Sequence, residues 1–224
     1  MKIKLLILLG ITIFLAQACE VKEEKPSLQY GSVTDIDGNT YKTIKIGTQT
    51  WMAENLNVTH YKNGDPIANV LDSTEWFNLD TGAFCNYNND EANAPIYGRL
   101  YNWQAVDNSK GIAPEGWHVP AKYEWETLIN YLGGSNGSAP KIRIEGDDYW
   151  WAHGIGNNES GFSAIGAGAR VDSFKELKGY ALWWTSSENT LLGGEYVYID
   201  ALNQNIIIIN ASKQCGMSIR CIKD

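Results

Sequence analysis

Three kinds of side chain in this sequence can do chemistry, and their spacing limits what that chemistry is. The three histidines are isolated. His60 lies in a polar stretch, His118 sits between Trp117 and Val119, and His153 follows Trp150-Trp151-Ala152. None has a second His or a Cys at metal-ligand spacing, so His118 is expected to hydrogen-bond within the fold. There is no Gly-x-Ser-x-Gly, Walker or dinucleotide fingerprint, and Ser186-Ser187-Glu188 reads as a turn packed beneath aromatic side chains. Oxygen ligands are more plentiful. Asn86, Asn88, Asn89, Asp90, Glu91 and Asn93 crowd one stretch, Asn157, Asn158 and Glu159 a second, and Asp147 with Asp148 a third. Hard oxygen donors suit Ca²⁺, with Asn88, Asp90 and Glu91 as its candidate ligands; the same residues also form self-bonded turns. Asp35-Ile36-Asp37-Gly38-Asn39 resembles a calcium loop, but the twelfth position is Ile46 rather than a bidentate Glu, so a hairpin turn is expected there. The aromatic pairs Trp150-Trp151 and Trp183-Trp184 are the third group. In a strand, one ring of each pair faces the core and its neighbour the opposite face. Trp150, Trp151 and Trp183, beside carboxamides and carboxylates such as Asn88, Asn89 and Asp90, are therefore the candidate ligand-binding set, suited to stacking on a sugar ring. Burial in the core is the competing reading for these rings and the expected one for Trp103, Trp117 and Trp125.

The elements that must position these groups begin with a segment that is not part of the fold. Lys2 and Lys4 precede an apolar run from Leu5 to Leu15, too short to span a bilayer, and Ala16-Gln17-Ala18 leads into Cys19. Residues 1–18 read as a signal peptide. The small residues before Cys19 resemble the lipobox of bacterial lipoproteins, which implies lipidation, palmitate included, at Cys19 and attachment to a membrane. Residues 19–32 read as a charged tether. Its Lys22-Glu23-Glu24 resembles the export signal of Bacteroidetes lipoproteins, implying an outer-membrane lipoprotein facing the cell surface; a periplasm-facing one is the alternative.

The remaining chain forms one domain. Of 224 residues 44% are hydrophobic, and nine Trp with twelve Tyr exclude disorder as the dominant state. A net charge of −8 with unclustered basic residues argues against nucleic acid as a partner. Residues 33–47 read as a hairpin, Gly98–Val106 and Lys122–Leu132 as helices, and 72–97 and 133–180 as long loops. The second helix places Trp125, Leu128, Ile129 and Leu132 on one stripe behind Pro120. Tyr196–Ile199, Ile206–Ile209 and Met217–Ile222 read as a terminal β meander, its four consecutive Ile expected to be covered on both faces. The fold class expected is α+β, a single domain with few short helices, long ordered loops and a C-terminal antiparallel meander.

Several segments carry a resemblance. Val33 through Tyr41 and Ile46 through Leu56 resemble the opening of the Fibrobacter succinogenes major paralogous domain family. Further matches are Tyr87-Asn88-Asn89-Asp90, Gly98-Arg99-Leu100-Tyr101-Asn102-Trp103, Gly116-Trp117-His118-Val119-Pro120, Asn158-Glu159-Ser160-Gly161-Phe162, Trp184-Thr185-Ser186-Ser187-Glu188 and Ser218-Ile219-Arg220-Cys221. They run in family order over about residues 33–224. The family has no settled activity. It is distantly similar to formylglycine-generating enzymes and the C-type-lectin-like fold, which implies fold alone. Family members often carry a Cys where this chain has Ala113, so the resemblance implies that the usual partner of Cys221 is absent. Cys215–Cys221 and Cys85–Cys221 are the alternative disulfides, and an odd count leaves a free thiol. The function expected is a lipid-anchored envelope domain recognising glycan or polysaccharide, without catalysis and with Ca²⁺ as the only cofactor in view. The alternatives are an assembly module docking on envelope proteins and, least favoured, a formylglycine-generating-type enzyme, whose cysteine motif Cys215 and Cys221 do not reproduce.

Overall fold

The computed structural model describes residues 27–151 and 156–224. The leader, Cys19 and His153 lie outside them. In chain order the strands and helices are β1 (Tyr30–Thr34), β2 (Thr40–Ile46), β3 (Gln49–Met52), β4 (Ala68–Asn69), α1 (Ser73–Phe77), β5 (Ala83–Cys85), α2 (Ala94–Tyr97), β6 (Leu100–Tyr101), α3 (Trp103–Val106), β7 (Trp117–His118), α4 (Lys122–Tyr131), α5 (Ala139–Ile142), β8 (Ala169–Arg170), β9 (Phe174–Lys175), β10 (Tyr180–Asn189), β11 (Gly193–Asp200), β12 (Ile207–Ala211) and β13 (Ile222–Lys223). The architecture is mixed: few short helices, several mostly antiparallel sheets and a C-terminal three-stranded meander. Among the described residues no helix is long and apolar enough to cross a membrane.

Local chemistry explains the elements that flank the site. The β1–β2 turn is built by Asp35, whose Oδ1 accepts the Asp37 and Asn39 N–H groups at 2.9 Å each and whose Oδ2 accepts the Tyr41 hydroxyl at 2.5 Å. Gly38 takes the φ of 86° that this turn requires. Helix α4 matches the apolar stripe read from the sequence. The weak cap at Ala121 is offset by Glu124, which reaches back to accept the Ala121 N–H at 2.8 Å.

The helix expected over Gly98–Val106 is instead a strand followed by a single turn. Leu100 and Tyr101 pair with Cys85 and Phe84. Helix then starts only after Asn102, which is extended and accepts the Ala105 N–H at 3.1 Å. The stretch 72–97, expected as loop, holds α1, β5, two 3₁₀ turns and α2. Asp72 caps α1 by accepting the Glu75 N–H.

The meander comprises β10, β11 and β12, so it begins sixteen residues before the Tyr196 read from the sequence. Ser186-Ser187-Glu188 is part of β10, where the register slips between Trp184 and Glu188, and is not a turn. The four isoleucines are not covered on both faces: β12 is a sheet edge, Ile206 is buried and Ile209 is 46% exposed. Met217–Ile222 does not join this sheet. It runs alongside β10 through a parallel bridge from Trp183 to Ser218. Its end, β13, inserts between β3 and β7, giving a five-stranded sheet ordered β1-β2-β3-β13-β7. All six residues of that segment are buried. Met217, Ile219 and Cys221 alternate into one core cluster, leaving Ser218 and Arg220 on the opposite side.

Candidate functional site

Beyond β3, Ala53-Glu54-Asn55-Leu56 carries a buried carboxamide into the centre of the molecule. Asn55 Oδ1 accepts Trp183 Nε1–H at 2.9 Å, Arg220 Nη2–H at 2.9 Å and Arg220 Nε–H at 3.2 Å. Its Nδ2 donates to the Tyr97 carbonyl at 2.9 Å and to Ser218 Oγ at 3.3 Å. Arg220 is fully buried, donates to the Phe162 and Ser163 carbonyls, and lies 4.4 Å from the Phe162 ring centre and 5.5 Å from that of Trp183. Among the described residues no carboxylate forms an ion pair with it. Burial lowers its pKa, which the field of Glu54 counters only in part. One amide and one guanidinium thus lock together the segment after β3, the end of α2, the chain around Phe162 and the segment before β13.

This hub underlies an open groove of about 610 Å³, a size typical of small-molecule sites. One wall is the loop 157–163, held in an unusual conformation. Asn158 and Ser163 have φ of 44° and 57°, left-handed values that cost a non-glycine residue free energy. The loop closes on itself as Asn158 Oδ1 accepts the Ser163 N–H at 2.8 Å and Asn158 Nδ2 donates to Ser163 Oγ at 3.0 Å. Arg220 then holds two of its carbonyls from beneath. Facing it are Ala94–Ile96 and Gly98, while Asn39, Asn57, Tyr30 and Tyr149 supply carboxamides and phenol rings. Asn57 lines the groove, although its Oδ1 is turned away from solvent and accepts no hydrogen bond among the described residues.

The tryptophan candidates fall elsewhere. Trp150 and Trp183 are fully buried and offer no face to a ligand, which corrects their place in the ligand-binding set. Trp183 packs with Trp51, Trp125 and Phe162 and donates its only N–H to Asn55. Trp150 donates to the Ala164 carbonyl at 3.1 Å. Alternation along β10 holds, with Trp183 in one core cluster and Trp184 in another, but both faces of the strand are covered there. Trp151 is half exposed and rests against Gly179; it does not line the groove.

Asn88, Asn89 and Asp90 form an exposed turn outside the groove. Asn88 and Asn89 adopt φ of 55° and 56°, Asn89 donates to the Leu71 carbonyl, and Asp90 Oδ1 accepts the Ala92 N–H, capping the next turn. Among the described residues no three His, Cys, Asp or Glu side chains gather as a metal site. Glu91 is exposed on the same turn, and Asp147 and Asp148 are exposed in another segment. Of the oxygen-rich stretches, only Asn157-Asn158-Glu159 reaches the groove, through Asn158. Sequence reasoning missed Tyr30, Asn39, Asn57 and Tyr149. The available signal was that Glu54-Asn55-Leu56, Asn158–Phe162 and Ser218–Cys221, all segments that carry the family resemblance, meet here.

The two described histidines, His60 and His118, are paired with carboxylates. His118 lies between two carboxylates, Nδ1 2.6 Å from Asp224 Oδ1 and Nε2 2.9 Å from Glu124 Oε1. Burial alone would lower its pKa, but the hydrogen bonds and charges of Asp224 and Glu124 outweigh burial and raise it. His60 Nδ1 is 2.6 Å from Asp37 Oδ1. Cys85, Cys215 and Cys221 are all free and buried, so neither expected disulfide forms. Ala113 packs in the same core cluster as Cys221. Burial pushes the Cys85 thiol up to about 11 and also raises Cys215 and Cys221, away from the thiolate that nucleophilic chemistry needs.

Apart from the groove, Tyr180, Leu182, Tyr196, Tyr198 and Ile209 form a flatter apolar patch on the outer face of the meander. The Tyr198 ring centre is 6.1 Å from that of Tyr180 and 6.0 Å from that of Tyr196.

The family model described as the Fibrobacter succinogenes major domain matches residues 44–223, and the chain belongs to this family. The match begins within β2, so β1, which pairs with β2 along its whole length, precedes it. No curated protein and no solved structure matches the chain.

Proposed function

We propose that this member of the Fibrobacter succinogenes major-domain family is a non-catalytic binding domain for glycan, attached to the outer membrane through lipid on Cys19. The observation that carries the reading is the groove itself. It pairs the carboxamides of Asn39 and Asn57 with the partly exposed rings of Tyr30 and Tyr149, beside a wall that is bonded to itself through Asn158 and Ser163. Sugars present the complementary surface, hydroxyls for amides and C–H faces for rings. The leader, the small residues before Cys19 and the charged tether support the anchor.

A glycan array and insoluble-polysaccharide pull-down with the full chain in detergent, with Ca²⁺ and with chelator, test the reading. The expected result is retention on a defined set of glycans, weakened about five- to tenfold by Asn57→Ala, the equivalent of one lost hydrogen bond. Retention of none, or of all regardless of Asn57, overturns it. A second reading, docking on another envelope protein, is favoured by the tyrosine patch on the meander. It expects co-purification of a defined envelope protein that Tyr198→Ala abolishes and Asn57→Ala does not.

A further inference from the structure

A second cleft of about 760 Å³ opens on the other side of the loop 157–163, and Asn158 lines both. The ridge between them is built from two segments, the loop 157–163 and the chain entering β1. The chain entering β1 places Leu28 in the second cleft and Tyr30 in the first, and the Tyr30 hydroxyl donates to the Gly161 carbonyl at 3.2 Å. Gly161 allows this close packing, because a Cβ there would come 2.9 Å from Ile44 Cγ1.

Each cleft repeats the same pairing of groups. The first has Tyr30, 41% exposed, beside Asn158; the second has Tyr131, 65% exposed, beside Asn157 and Asn158. Tyr131 ends α4, and its ring lies over Gly47, where a Cβ would meet Cδ2 at 2.8 Å. One face of the ring therefore rests against the Gly47 backbone, and the rest of it is open to solvent. The charges of the second cleft cancel: Lys45 and Lys141 against Glu145 and Glu159, with Lys141 Nζ 3.4 Å from Glu159. Such a lining favours an uncharged polyhydroxyl ligand over a polyanion.

We propose that the two clefts form one extended site for a neutral oligosaccharide chain that crosses the ridge at Asn158, with one sugar against Tyr30 and a later one against Tyr131. This rests on the glycan reading of the first groove and adds the ligand's length and charge. Either cleft alone falls within the range of a single small-ligand site, whereas the pair exceeds it.

Calorimetry of the full chain with gluco-, xylo- and manno-oligosaccharides from one to about six units is the test. For at least one series, affinity should rise about tenfold once the chain is long enough to reach the second cleft, the upper range for one aromatic contact. Tyr131→Ala should abolish that gain while leaving the affinity of the shortest ligands unchanged, and Tyr30→Ala should weaken short and long ligands alike. Both rings are exposed, so unchanged thermal melting of the variants separates binding from folding. Affinity independent of length, or a gain that survives Tyr131→Ala, overturns the extended site and leaves the first groove's reading intact. Binding of uronic-acid chains alone overturns the neutral-ligand assignment. Failure of every probe, together with an empty glycan array, overturns both.

Discussion

Replacing Asn55 with alanine removes the acceptor that faces a buried guanidinium with no carboxylate partner among the described residues. Two of the three hydrogen bonds accepted by Oδ1 come from Arg220, and bonds to charged groups are worth about 1.5–3 kcal/mol each, more than neutral ones. The Trp183 N–H, also fully buried, loses its partner as well. Allowing for partial relaxation, Asn55→Ala should cost about 3–5 kcal/mol, the range seen when one partner of a buried charge is removed. That is a large share of a typical stability of about 5–15 kcal/mol, and it corresponds to a drop in Tm of roughly 6–20 °C for a domain this size. The cause can be isolated with a double-mutant cycle. If the cost arises from a stranded cation, then Arg220→Met, which removes the charge, should make the second change at Asn55 cheaper. Urea unfolding followed by the summed tryptophan fluorescence should give a double variant less destabilised than the two single losses added together, by about 1–3 kcal/mol. Strict additivity, or a loss below about 1 kcal/mol for Asn55→Ala alone, refutes the assignment of Asn55 as the group that holds Arg220 in the interior.

Other consequences follow from individual geometries. Because His118 has a raised pKa in the folded chain, its contribution to stability is complete below the unfolded value near 6.5 and disappears as pH rises through the higher folded value. Unfolding free energies measured from about pH 5 to 9 should show that decline, and His118→Gln should flatten it. Gly98 has φ of 73° and a Cβ there would lie 2.7 Å from Asn55 Cβ, so Gly98→Ala should destabilise the chain by about 1–3 kcal/mol and distort the groove, read by thermal melting and by glycan retention. The thiols of Cys85, Cys215 and Cys221 should resist an aromatic disulfide reagent in the native protein at neutral pH and all react in guanidinium; rapid reaction of any one in the native state contradicts its burial.

Much of the architecture was legible where local chemistry is self-sufficient. Asp35-Ile36-Asp37-Gly38-Asn39 specifies its turn through one carboxylate and one glycine, both within five residues. The stripe of Trp125, Leu128, Ile129 and Leu132 specifies α4 because its period admits few other structures. Gly98–Val106 misled because its apolar spacing fits a helix, while the pairing that makes Leu100 and Tyr101 a strand is supplied by Phe84 and Cys85. The candidate site shows the same division. Asn158 was visible as part of an oxygen-rich cluster, whereas Asn57, Tyr30 and Tyr149 become site residues only because segments from distant parts of the chain meet at Asn55.

By itself, then, the amino-acid order determined the family, the mixed fold class, the hairpin near the start and the abundance of β structure at the end. Which tryptophans face outward was decided by the tertiary structure, and it went against two of the three candidates: Trp150 and Trp183 are sealed in, Trp151 is half exposed but away from the groove, and tyrosines line the open surfaces. Alternation along a strand tells which residues share a face, but only the packing of other layers tells whether that face meets water. Along β10 it meets core on both sides at Trp183 and Trp184, and the groove opens instead where a guanidinium with no acidic partner among the described residues is held by an amide, two backbone carbonyls and the rings of Phe162 and Trp183.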